Sequence, residues 1–96
     1  MKPSSALNMY RDQIRGIVEM HHAKNPRVFG SVLYELDEEG SDLDILIEPT
    51  QQTTLFDIGA IRHELIALLG VSVDVLTPKA IPEKFRNKVL SEAKLI

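Results

Sequence analysis

No cysteine and no tryptophan occur among the 96 residues, and the aromatic set is limited to two tyrosines and three phenylalanines. Without thiols there is no disulfide framework, thiolate nucleophile or zinc–sulfur site, so any metal must be held by oxygen or by the three histidines. The few aromatics are not interleaved with the basic residues, which leaves no stacking platform for single-stranded nucleic acid. No apolar run approaches the ~18 to 20 residues of a membrane-spanning helix, and Met1–Ser5 lacks the charged-then-apolar layout of a secretory signal. These absences point to a soluble, cytoplasmic protein with no membrane contact. A composition 44% hydrophobic and 26% charged is that of a globular chain rather than a disordered one, and the length suits one domain spanning residues 1–96.

Charge of either sign is unevenly placed. Residues 1–29 carry Lys2, Arg11, Arg15, Lys24 and Arg27 against Asp12 and Glu19, and residues 79–96 carry Lys79, Lys84, Arg86, Lys88 and Lys94 against Glu83 and Glu92. Between them Arg62 is the single cation among Glu35, Asp37, Glu38, Glu39, Asp42, Asp44, Glu48, Asp57, Glu64 and Asp74. This pattern argues against direct nucleic-acid binding, although basic ends around an acidic centre can steer a polyphosphate toward a metal. Asp37, Glu38 and Glu39 read as a solvated turn, and the C-terminal basic set reads as a solvated helix face.

Leu7, Tyr10, Ile14, Ile17, Val18 and His21 recur at helical spacing, predicting an amphipathic helix capped by Ser4 or Ser5 and ended by Asn25-Pro26. Arg27–Gly30 reads as a short strand. Asp42–Glu48 is the clearest strand, with Leu43, Ile45 and Ile47 on one face and Asp42, Asp44, Leu46 and Glu48 on the other, closed by Pro49. Thr54 and Asp57 form a capping arrangement for a helix through Ile58, Ile61, Leu65, Ile66 and Leu69, with Gly70 as its C-cap. Val71–Leu76 is a third strand, and Ile81–Leu95 a last helix with Phe85, Val89 and Leu90 inward. The order predicts an α+β (α/β) fold, a small mixed sheet flanked by helices. So short a chain has a modest core, and a homo-oligomer or a hetero-oligomer with a partner would cover apolar helix surface.

Asp42 and Asp44 project from one face of their strand, about 6 to 7 Å apart at Cα. Like charges so placed repel unless a cation, donors or solvent compensate, and magnesium is the natural hard-oxygen occupant. Asp74 sits in the polar register of the next strand and can join the pair. Gly30-Ser31, at the end of the first strand, offers close backbone approach and donors to phosphate oxygens. Asp37 to Glu48 has the length of a calcium loop, but Asp42 stands where such a loop requires glycine. His21 and His22 cannot share a helix face and His63 stands alone, so the histidines read as surface or core-edge residues rather than ligands.

Gly30-Ser31, ten residues, Asp42-x-Asp44 in a hydrophobic strand and Asp74 in a further strand resemble the DNA polymerase β-like nucleotidyltransferase superfamily. The short length and the ending VDVLTPKAIPEKFRNKVLSEAKLI resemble its minimal nucleotidyltransferase (MNT) branch, over about Leu7 to Ile96. The resemblance implies the nucleotidyltransferase fold and Mg²⁺-dependent transfer of AMP from ATP to a hydroxyl, with pyrophosphate released. It implies that Asp42, Asp44 and Asp74 are the catalytic and metal residues, with Asp42 and Asp44 on both of two Mg²⁺ ions and Asp74 completing the one that activates the acceptor. Gly30 and Ser31, with Asp42 and Asp44, would bind the nucleotide, and Asp74 would receive the acceptor proton. It further implies a HEPN-domain partner, an RNase toxin silenced by AMP transfer to a tyrosine, with this chain as the antitoxin. Active members of the branch commonly follow Gly-Ser with x-Ala-Arg-Gly, whereas here Val32-Leu33-Tyr34-Glu35 follow, so the phosphate-directed arginine is absent and Tyr34, expected to pack, takes its place. The alternative is therefore an antitoxin of the same fold that neutralises its partner by binding alone.

Overall fold

In the computed structural model, which describes residues 1–96, the elements run α1 (Pro3–Met9), α2 (Arg11–Met20), β1 (Ala23–Phe29), β2 (Leu43–Pro49), α3 (Leu55–Leu69) and β3 (Val73–Leu76). A 3-10 turn (Pro78–Ala80), α4 (Glu83–Glu92) and the two-residue β4 (Lys94–Leu95) complete the chain. The strands form one mixed sheet in the order β3-β2-β1-β4. β1 is antiparallel to both β2 and β4, while β2 and β3 are parallel, as a helical crossover through the 15-residue α3 allows. This is the expected α+β architecture.

Alternation along β2 decides the layering. Leu43, Ile45 and Ile47 are each 0% exposed and join Ile14, Val18, Ile61, Leu65, Val73 and Val75 in the core between the sheet and α1–α3. The registers Val28↔Ile45↔Val75 and Phe29↔Asp44↔Asp74 carry the alternation across three strands, so both aspartates lie on the opposite face in line with Phe29. That face is partly covered: Leu46 is buried beside Pro78 and Leu90. Arg86 ties α4 to the 3-10 turn by donating to the carbonyls of Pro78, Lys79 and Ile81 at 3.0, 3.3 and 3.0 Å. On the edge strand β3, Arg62 Nε donates to the Val73 carbonyl at 3.0 Å, occupying an acceptor that a foreign strand could otherwise pair with.

The α3 punctuation matches the sequence. Thr54 Oγ1 accepts from the Asp57 backbone at 3.2 Å, Asp57 accepts from the Thr54 backbone at 2.8 Å, and Gly70 closes the helix in the left-handed region at φ +68°. The N-terminal region departs from it. One expected helix is two, broken at Tyr10, and Ser4 and Ser5 lie inside α1, which opens with Pro3 in its first turn. Asp37, expected in a solvated turn, is buried and accepts the Ser4 backbone N–H at 2.9 Å, placing a carboxylate at the start of α1. Burial opposes its ionisation, but the Ser4 backbone and hydroxyl, its own backbone and the Lys2 charge outweigh that and hold it below the ordinary value.

Asn25-Pro26 does not end a helix. α2 stops at Met20, His22 turns the chain at φ +64°, and Asn25-Pro26 lies inside β1 at an irregularity between Lys24 and Arg27, where a residue without an N–H is tolerated. The strand therefore begins at Ala23 rather than Arg27. At the other end α4 is shorter than expected: the chain is already extended at Ala93, and Lys94–Leu95 pairs with β1. Phe85, expected inward, is 51% exposed, because α4 meets the sheet through Val89 and Leu90 and leaves Phe85 at the edge of a groove.

Candidate active site

Asp42 immediately precedes β2, Asp44 is its second residue, and Asp74 is the second residue of β3. Asp44 and Asp74 are register partners on neighbouring parallel strands, roughly 4.8 Å apart by sheet spacing, and Asp42 is two residues along from Asp44. Asp42 and Asp74 are exposed while Asp44 is partly buried. Burial pushes the Asp44 carboxyl up to about 6, and the charges of Asp74 and then Asp42 push in the same direction. No hydrogen-bond donor offsets them, and none of the three aspartates takes part in the chain's ion pairs. The structure thus brings the three sequence-predicted carboxylates into mutual electrostatic contact and leaves their charge uncompensated.

Gly30 bounds the cluster. It has φ +74°, and a Cβ built on it would stand 2.2 Å from Asp44 Oδ2, a distance no real contact tolerates. Glycine suits both the turn out of β1 and the present seat of the Asp44 carboxylate, which any Cβ here would force to move. This steric role is not legible in the local sequence, although a glycine after a strand signals close approach of something. Ser31 follows in a tight turn, with Glu35 N donating to the Val32 carbonyl at 3.1 Å and Leu36 N to the Ser31 carbonyl at 2.9 Å. Glu35, which occupies the glycine position of the x-Ala-Arg-Gly pattern, has φ +58°, so the backbone retains the bend for which glycine is suited. Tyr34 does not pack as expected. It is 50% exposed and faces a groove shared with α4.

Two of the three histidines have carboxylate partners on α3. His21 pairs with Glu64, and His22 Nδ1 lies 3.3 Å from Asp57 Oδ1, so both join the end of α2 to α3. Asp57 is held below the ordinary carboxylate value chiefly by the Thr54 backbone N–H, with His22 adding to the effect.

An uncompensated set of hard carboxylate oxygens fits a small dication, and Asp42, Asp44 and Asp74 are the residues able to hold one. No three acidic or histidine side chains close into a preassembled cage. That suits magnesium, which typically takes one or two carboxylates and completes its octahedron with water and substrate phosphates.

Gly-Ser thus follows one strand of a mixed sheet, and clustered carboxylates lie at the start of the next two. The family model described as "Nucleotidyltransferase domain" matches residues 11–96. A Methanocaldococcus jannaschii protein named "Putative protein adenylyltransferase MJ0435" is 34% identical over 91% of this chain and 94% of its own length. A solved structure described as "Structure of putative minimal nucleotidyltransferase" superposes with a TM-score of 0.83 at 34% identity, covering 94% of this chain and 92% of the other. Another, described as "Crystal structure of the toxin-antitoxin with AMP-PNP", shares the fold with a TM-score of 0.73 at 16% identity, covering 88% of this chain and 69% of that one. The chain belongs to the nucleotidyltransferase domain family, in its minimal branch.

Proposed function

We propose that this chain, acting as one domain over residues 1–96, is a Mg²⁺-dependent protein adenylyltransferase that moves AMP from ATP to a protein hydroxyl. The observation that carries the reading is the cluster of Asp42, Asp44 and Asp74, three carboxylates with no cation or donor to offset them, set against Gly30. A chain with no chemistry to perform gains nothing from that repulsion. Asp42, Asp44 and Asp74 hold the metal, and Gly30-Ser31 receives the triphosphate. Held by those carboxylates, magnesium would supply charge neutralisation on the triphosphate. The chain's own part is to fix the carboxylates on adjacent strands, to keep the backbone at Gly30 open for phosphate, and to offer Asp74 for the acceptor proton.

The name of the Methanocaldococcus jannaschii relative supports a protein acceptor. The toxin–antitoxin structure with AMP-PNP supports a partnered setting and an adenine nucleotide. We take the acceptor to be a tyrosine of a HEPN-domain RNase toxin, with this chain as its antitoxin. Leu55 and Phe56, 85% and 90% exposed beyond the C-terminal end of β2, are apolar surface that a partner would cover. The second reading, neutralisation by binding alone, draws on Tyr34 standing where an arginine would contact phosphate.

The two readings separate when the protein is incubated with α-labelled ATP, Mg²⁺ and the protein encoded by the neighbouring gene. Label on the partner that disappears with Asp42→Asn/Asp44→Asn is the expected result. Full neutralisation of the partner by that double variant, with no label in either case, would sink the enzymatic reading in favour of masking.

A further inference from the structure

Between α4 and the turn after β1 lies a groove of about 220 Å³, lined by Phe29, Leu33, Tyr34, Phe85, Val89 and Lys88. It lies below the ~300 to 1,000 Å³ of a site for a drug-sized molecule, so it takes one flat ring rather than a whole nucleotide. Gly30 also lines it, and Gly30 is the residue whose α-carbon abuts the Asp44 carboxylate. Groove and carboxylate cluster therefore meet at a single residue. The walls are mostly apolar, with Glu92 beside Lys88 as the other charged lining residue, and Tyr34 and Phe85, 50% and 51% exposed, are two aromatic rings left out of the core. Lys84 Nζ lies 5.5 Å from the centre of the Phe85 ring, and Lys88 has no carboxylate within ion-pair distance. Lys88 is thus a cation of the groove lining that no ion pair occupies.

We infer that this groove receives the nucleobase of the triphosphate, stacked against Tyr34 and Phe85, and that Lys88 supplies the phosphate-directed cation missing at position 34. The inference rests on the nucleotidyltransferase reading above and adds to it a site for the base. It also accounts for the departure at Tyr34: the residue that displaces the arginine becomes a stacking surface, and the positive charge comes from α4. An aromatic surface of this kind accepts any base by its π-face, so the groove sets affinity for a nucleoside over bare polyphosphate rather than strict choice among bases.

The test is calorimetric titration of the full chain with ATP and, separately, with inorganic tripolyphosphate, both with Mg²⁺. Wild type is expected to bind ATP about tenfold or more tighter than tripolyphosphate, the scale of one stacked base. Phe85→Leu and Tyr34→Leu, which keep apolar bulk at half-exposed positions, should each reduce that ratio several-fold and leave tripolyphosphate binding unchanged. Lys88→Gln should weaken both ligands alike. Equal binding of the two ligands by wild type, or an unaltered ratio in Phe85→Leu and Tyr34→Leu, overturns the groove as the base site while leaving the proposed function standing. If neither ligand binds wild type, the triphosphate site itself is absent and both proposals fall.

Discussion

Asp44 is where the demands of folding and of the site diverge. Its carboxyl ionises near 3.8 in an unfolded chain and near about 6 in the folded one. Between those values the native state holds a proton that the unfolded state has released, so this group's contribution to stability is whole below 3.8 and is lost as pH rises through about 6. A two-unit displacement corresponds to at most about 3 kcal/mol. Partial solvation of the carboxylate reduces the expected effect to about 1 to 2 kcal/mol. Asp44→Asn is therefore expected to melt higher than wild type at pH 7.5 in metal-free buffer, by roughly 4 to 8 °C per kcal/mol for a chain of this size. The gain should vanish near pH 3.5, and a variant that melts lower at pH 7.5 would show that the carboxylate has a stabilising partner. Gly30 tests the same seat from the other side. Gly30→Ala incurs roughly 1 to 2 kcal/mol for its left-handed backbone plus the collision with Asp44 Oδ2. In an Asp44→Ala background the collision disappears, so urea unfolding should show the Gly30→Ala penalty shrinking to the backbone part alone. Strict additivity of the two substitutions would contradict the contact.

At the scale of elements, what was legible from sequence was what neighbours in sequence decide. The α3 capping box needs only Thr54 and Asp57, and the Gly70 cap only its own backbone. Thr54→Ala should accordingly cost about 1 kcal/mol in chemical denaturation without altering nucleotide binding, since the helix start lies beyond the far end of β2. The alternation of β2 was likewise local, and it fixed the shared face of Asp42 and Asp44 correctly. Asp37 was misread because its partner, the Ser4 backbone, is 33 residues away, and no local pattern distinguishes such an aspartate from Glu38 and Glu39 beside it. β4 was missed for a similar reason: Lys94–Leu95 continues a helical pattern until the free edge of β1 draws it into the sheet. The Phe85 error combines both effects, since helical spacing assigns it to a buried stripe while the groove beside Gly30 leaves it without a floor. In the candidate site, the nearness of Asp42, Asp44 and Asp74 followed from the strand patterns around them. The exposure of Tyr34 and the closeness of Gly30 to the Asp44 carboxylate appear only once β1 and β2 are paired.

For the molecule as a whole, the folded chain is an unfinished site. One sheet face is sealed by α1–α3, and no helix is long and apolar enough to cross a membrane. The other face carries a negative cluster beside a groove lined by Lys88 and Glu92, and the cluster's side chains do not close into a cage. Magnesium alone would then leave most of its coordination to water, while ATP alone would bring its phosphates against three carboxylates of the same sign. Each ligand supplies what the other lacks, so the two should bind with positive coupling. Mg²⁺ alone or ATP alone should move the melting temperature little, whereas both together at a hundredfold excess over Kd should stabilise by about 2.7 kcal/mol, roughly 10 to 20 °C. In Asp42→Asn/Asp44→Asn the joint shift should be lost even though the apo form is no less stable. A full shift from Mg²⁺ alone would mean that the carboxylates form a closed metal site after all, and the joint requirement for metal and triphosphate would have to be given up.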